Sequence, residues 1–229
     1  MNCQRLTYTC LELLAILVST LAAPLVTTSL SLDNPCGLAP GAALELPPNM
    51  VDFLKATITD ANAASAANQA VVNKLRSDVM LTENELITYT NKTLPSLPLR
   101  LPEVNVSKSN MDAITRQQYN DTSIAIIYLD SAIKDDTQYD NKRYQTELQS
   151  AQNSLYSLMC KIFYMMKSSN ISIPLPVNAS VIPSTLQQLS DAKRRYYRNV
   201  MITSQVARNM TKTQASNYEK FIEVVSTSG

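Results

Sequence analysis

Three carboxylates crowd one short polar stretch, Asp135, Asp136 and Asp140, and four cations crowd another, Lys193, Arg194, Arg195 and Arg198. Paired carboxylates can perform acid/base work or hold calcium, but the regular Asp-x-Asp-x-Asp-Gly spacing of a calcium loop is missing here, so a polar turn is the expectation. The cations put Arg194 and Arg198 one helical turn apart, a charged face suited to acidic partners or sulfated glycans. A solvated helix surface is the plainer reading of the same residues. Histidine is absent from all 229 residues. That removes Ser-His-Asp and Cys-His catalysis and His-ligated metals, so the expectation is a protein that is not an enzyme and needs no cofactor.

Cysteine chemistry depends on the compartment. The opening MNCQRLTYTCLELLAILVSTLAAP has one Arg near its front, an apolar run from Leu11 to Leu21 and small residues after it, which reads as a signal peptide over 1–22. The run is too short for a spanning helix, so no membrane insertion is expected and the chain is read as secreted and extracellular. Cleavage there removes Cys3 and Cys10 and leaves Cys36 and Cys160, an even pair in an oxidising setting. A disulfide is the expectation, two free thiols the alternative. Six N-x-S/T sequons, at Asn91, Asn105, Asn120, Asn170, Asn178 and Asn209, fit the same route, although about three would arise by chance in such a composition.

The elements that position these residues read as helices. Three glycines leave little for phosphate-cradling loops or hairpins, and a net charge of +1 gives no reason to expect a nucleic-acid partner. Apolar residues recur at intervals of three and four in four stretches, predicting helices over 49–78, 109–134, 144–167 and 184–212, followed by a tail at 213–229. In the third helix Leu148, Ala151, Leu155, Leu158, Ile162 and Met165 form one stripe, and Cys160 stands about 170° away from it. A disulfide to Cys36 would strap the N-terminal segment across that outer face. Met159, Met165, Met166 and Met201 read as adaptable core filling. The fourth helix is expected to present Asp191, Arg194, Arg198, Gln205 and Asn209 to solvent. The links are long (80–108, rich in proline), short, then fairly long. Short links join antiparallel neighbours and long ones let helices lie parallel, which predicts an all-α, up-up-down-down four-helix bundle over 23–229.

These residues carry a resemblance. The run Ile126-Ile127-Tyr128-Leu129 with Ser131 and Ile133, the placement of Cys36 ahead of the first helix and Cys160 late in the third, and the stretch from Tyr196 to Met210 resemble the long-chain class I helical cytokines of the interleukin-6 family. The likeness is to the branch of leukaemia inhibitory factor and oncostatin M. The resemblance implies a monomeric secreted glycoprotein that bridges class I cytokine receptor chains, including the family's shared signal-transducing receptor, and so triggers JAK-STAT signalling. It implies receptor contacts at Tyr156, Phe163 and Tyr164 on the third helix, unless the N-terminal strap covers them, and at Arg194 and Arg198 on the fourth. The chain departs from the family pattern at Leu186-Gln-Gln-Leu189, where these cytokines carry Phe-x-x-Lys, so no residue of that receptor site is carried over. The alternative class is a secreted four-helix inhibitor or carrier.

Overall fold

The computed structural model describes residues 30–39, 49–90, 92–94, 96–97, 106–107, 109–175 and 177–227. The expected signal peptide at 1–22, with Cys3 and Cys10, and the sequon residues Asn91 and Asn105 lie outside them. Among the described residues the chain is helical and holds no strand. Six α-helices follow one another: α1 (Met50–Val79), α2 (Glu83–Thr90), α3 (Met111–Tyr139), α4 (Gln145–Ser168), α5 (Ala192–Asn209) and α6 (Ser216–Thr227). A π-helical segment, Met210–Ala215, joins α5 to α6. Among the described residues no helix is long and apolar enough to cross a membrane.

Local chemistry sets the boundaries. Asn49 caps α1, its side-chain oxygen accepting from the Val51 amide at 2.9 Å. Asp191 does the same for α5 through Arg194 N–H at 2.7 Å. That cap fixes the start of the last long helix at Ala192 instead of the expected 184. Residues Ser184–Leu186 form a 3-10 turn behind Pro183. At the other end the helix does not stop at 212. The expected tail continues through the π segment into α6 because Tyr218 and Phe221 are fully buried and anchor it. The second long helix likewise overruns its expected end by reaching Tyr139, so Asp135 and Asp136 are buried helical residues and not a polar turn.

One core runs through the molecule, and all six apolar positions of the α4 stripe contribute to it. Full burial of a leucine such as Leu155 or Leu158 stabilises the fold by about 1.5–3 kcal/mol. Helix α1 supplies Leu54, Ala61, Ala64, Val71 and Leu75 to the same core. Cross-helix pairs record the packing. Between α1 and α4, the Lys161 ammonium lies 5.7 Å from the Phe53 ring centre, Ser157 bonds Asp60 at 3.2 Å, and Arg143 meets Asp78 at 3.3 Å. Between α3 and α4, Ser123 meets the Met159 sulfur at 3.9 Å, and Asp136 accepts from the Tyr144 amide at 3.1 Å. Between α3 and the last helical stretch, Asp140 pairs with Arg195, Asp135 with Arg198, and Thr122 with Gln214. Ser65 of α1 donates to the Ala207 carbonyl at 3.0 Å.

Candidate functional site

The aromatic face of α4 surrounds the disulfide. Cys36 and Cys160 are bonded with their Cα atoms 4.8 Å apart, across 124 residues of sequence. The N-terminal segment around Cys36 is a built turn: Asn34 accepts from the Leu38 amide and donates to the Leu38 carbonyl, and Gly37 takes a positive φ of 60°. Tyr119 of α3 donates its hydroxyl to the Leu32 carbonyl at 3.2 Å, so the strap also reaches α3. Tyr156, Phe163 and Tyr164 are half-buried and lean on the core. Burial, helped by the charge of Asp130, raises the Tyr156 hydroxyl above its ordinary pKa. Lys167 stands 5.6 Å from the Phe163 ring centre. These three aromatics offer partial faces for contact, not open ones.

The basic quartet is dispersed by the tertiary structure. Arg194 is exposed, and its guanidinium comes no closer than 3.5 Å to the Thr185 carbonyl. Arg198, expected beside it on the surface, is 1% exposed. It bonds Asp135 Oδ2 at 2.6 Å, the Leu186 carbonyl at 3.0 Å and Asn199 Oδ1. Burial pulls its guanidinium below the usual pKa while Asp135 pulls it back up. Arg195 is equally internal, forked onto Asp140 with Nε–Oδ2 at 2.9 Å and bonded to the Leu189 carbonyl. The third carboxylate, Asp136, turns to the Tyr144 amide. The acidic stretch and the basic stretch are thus each other's partners. Among the described residues no group of three or more Cys, Asp or Glu is placed to hold a metal ion.

The outward face expected for the last long helix is corrected at three places. Besides Arg198, Gln205 is fully buried beneath Leu94 and Leu97: the Leu94 amide donates to Gln205 Oε1 at 3.0 Å and its Nε2 donates to the Leu97 carbonyl. Asn209 is 1% exposed, with neither side-chain polar atom bonded. A glycan there has no route to solvent in this fold. Asn170 and Asn178 are exposed, and Asn120 is half-buried at the rim of a groove shared with Pro174 and Arg116.

One surface was missed from sequence. Helix α2 falls inside the stretch expected to be an irregular connection, yet Thr82-x-x-Glu85 is a capping box: Thr82 Oγ1 accepts from the Glu85 amide at 3.2 Å, and Glu85 Oε2 accepts from the Thr82 amide at 3.1 Å. That pattern was the available signal. The box docks α2 on α5 by stacking Tyr89 on Tyr197, ring centres 3.8 Å apart at 11°. Tyr197 donates its hydroxyl to Glu85 Oε1 at 2.6 Å, and Lys193 sits 3.3 Å from the same oxygen. These donors, Tyr197 foremost and then Thr82, hold the Glu85 carboxyl down at about 2.

A groove of about 560 Å³ runs between α3 and the 179–188 turns, lined by Ile127, Lys134, Asp135, Ile182 and Gln187. In sum, the strapped α4 face and the α2–α5 surface are places of contact without an assembled reaction centre on the described residues. Compared with protein-family models, with curated proteins and with solved structures, the chain finds no match in any of the three.

Proposed function

We propose that this protein is a secreted helical ligand of the class I cytokine type, in the manner of the leukaemia inhibitory factor and oncostatin M branch of the interleukin-6 family. On this reading it is an extracellular monomer that carries no reaction and brings receptor chains together, so that their associated kinases start JAK-STAT signalling. The observation that carries the reading is the direction of the helix pairs. Along α1 the numbers rise (53, 60, 78) as those on α4 and the turn just ahead of it fall (161, 157, 143). The same inversion holds between α3 (123, 136) and α4 (159, 144). It holds again between α3 (140, 135, 122) and the last helical stretch (195, 198, 214). Taken together they favour two helices up and two down, joined by long overhand links at the first and third connections. The Cys36–Cys160 strap on the third long helix adds support.

A rigid bundle with separate faces suits bridging, since two simultaneous modest contacts multiply into high avidity. The test is to apply the purified mature protein to cells of its source species bearing the family's shared signalling receptor, and to measure STAT phosphorylation with and without a blocking antibody. Phosphorylation abolished by the antibody is the expected result. Silence from correctly folded, disulfide-bonded protein, across cells expressing every receptor of the family, overturns it and points to the inhibitor or carrier class.

A further inference from the structure

We propose that the cations flanking the Tyr89–Tyr197 stack form a binding surface for sulfated glycans. The inference stands apart from receptor bridging. Its starting point is a broken local rule: the first turn of α5 carries Lys193, Arg194 and Arg195 and no acidic residue, although the positive end of a helix dipole disfavours cations there. Such violations mark sites where something other than stability set the residue.

Two of the three have internal explanations. Arg195 is buried on Asp140. Lys193 is paired with Glu85, whose carboxylate is already saturated by Tyr197 and Thr82, so that pair is close to neutral. Arg194 has none. Its side chain faces solvent and has no carboxylate partner among the described residues. Lys92 is a second such cation, exposed and standing 4.6 Å from the Tyr89 ring centre. Lys193 stands 5.4 Å from the Tyr197 ring centre.

The cations therefore gather around one aromatic pair without converging on one point. Two adjoining grooves, about 510 and 180 Å³, share Tyr89 and Tyr197. One has Lys193 in its wall, the other Arg194 beside Leu186 and Met201. A single small anion would need converging donors. A chain with repeated anionic groups fits spread cations, with the Arg194 fork taking a sulfate in bidentate fashion and the apolar rim accepting a sugar ring.

The experiment measures affinity for a size-defined heparin oligosaccharide at several NaCl concentrations, using the secreted protein with Asn91→Gln so that no glycan precedes Lys92. Lys92→Gln combined with Arg194→Gln is expected to weaken binding about tenfold at physiological salt and to lower the slope of log Kd against log salt by roughly 2. Glu85→Gln releases Lys193 and is expected to strengthen binding about threefold. A control pair on other faces, Lys55→Gln with Lys134→Gln, removes the same charge and is expected to change Kd less than twofold; both of these lysines are well exposed. Circular dichroism and the thermal midpoint verify that each variant is folded. Absence of binding by the Asn91→Gln parent at about 0.15 M salt, or an equal loss in the control pair, overturns the site.

Discussion

Two seams of the interior are built on opposite plans. In the one to which α1 and α4 contribute, Leu54, Ala61, Ala64, Val71 and Leu75 and Leu148, Ala151, Leu155, Leu158 and Ile162 are all buried in the core. In the one to which α3, α5 and the π segment contribute, the interior is polar: Gln118, Asp121, Thr122, Asp135, Arg198, Asn199, Thr203, Asn209 and Gln214 are buried as deeply. Several of these polar atoms have no hydrogen-bond partner, among them both ends of Gln118, Asp121 Oδ2 and Gln214 Oε1. The first seam is held by area removed from water; the second depends on every polar group being matched, and it is not fully matched. The π segment lies in this second seam, where π geometry is otherwise rare and frequently sits at functional positions.

The largest expected effect lies at the buried ion pair. Asp135→Ala strands Arg198 in the interior and is expected to cost about 3–5 kcal/mol in urea unfolding, whereas Asp135→Leu with Arg198→Met together is expected to be neutral or stabilising. An equal cost for the single and double variants would mean that the pair is not what organises this seam. On the apolar side, Leu155→Ala is expected to cost about 2–5 kcal/mol with an unchanged urea slope, through lost burial and the cavity left behind.

Asp121 separates the seams by pH. Burial pushes its carboxyl up to about 6, with the Gln117 amide at 2.8 Å pulling the other way. Because the folded pKa lies above the unfolded value, the native state binds the extra proton between about pH 4 and pH 6, and stability falls as pH rises through that window. Asp121→Asn is therefore expected to gain on the order of 2 kcal/mol above pH 7 and nearly nothing at pH 4. A gain that does not vary with pH would contradict the assignment. The smallest effect is expected at Gln118→Leu, a gain of about 1 kcal/mol from removing a buried amide that bonds nothing.

The same contrast explains what could be read in advance. The helices over 49–78, 109–134 and 144–167 match α1, α3 and α4 closely, because their apolar residues recur at the helical period. The α4 stripe was legible to the residue. Helix α2 was hidden by the proline-rich stretch around it, although its capping box was visible in Thr82 and Glu85. Arg198 and Gln205 were misplaced for one reason: polarity marks the outside of a helix only when nothing polar waits within. Here Asp135 and the Leu186 carbonyl waited for Arg198, and the Leu94 amide for Gln205. Asn209 is buried with no such partner.

By itself the sequence determined the helical class and the buried stripe of α4, because these follow from local periodicity. Only the tertiary structure decided which cations face solvent, which sequon is shut inside, and that residues beyond 212 continue as α6. Those outcomes depend on long-range partners, Asp135 for Arg198 and Asp140 for Arg195, and on burial that a one-dimensional pattern does not carry.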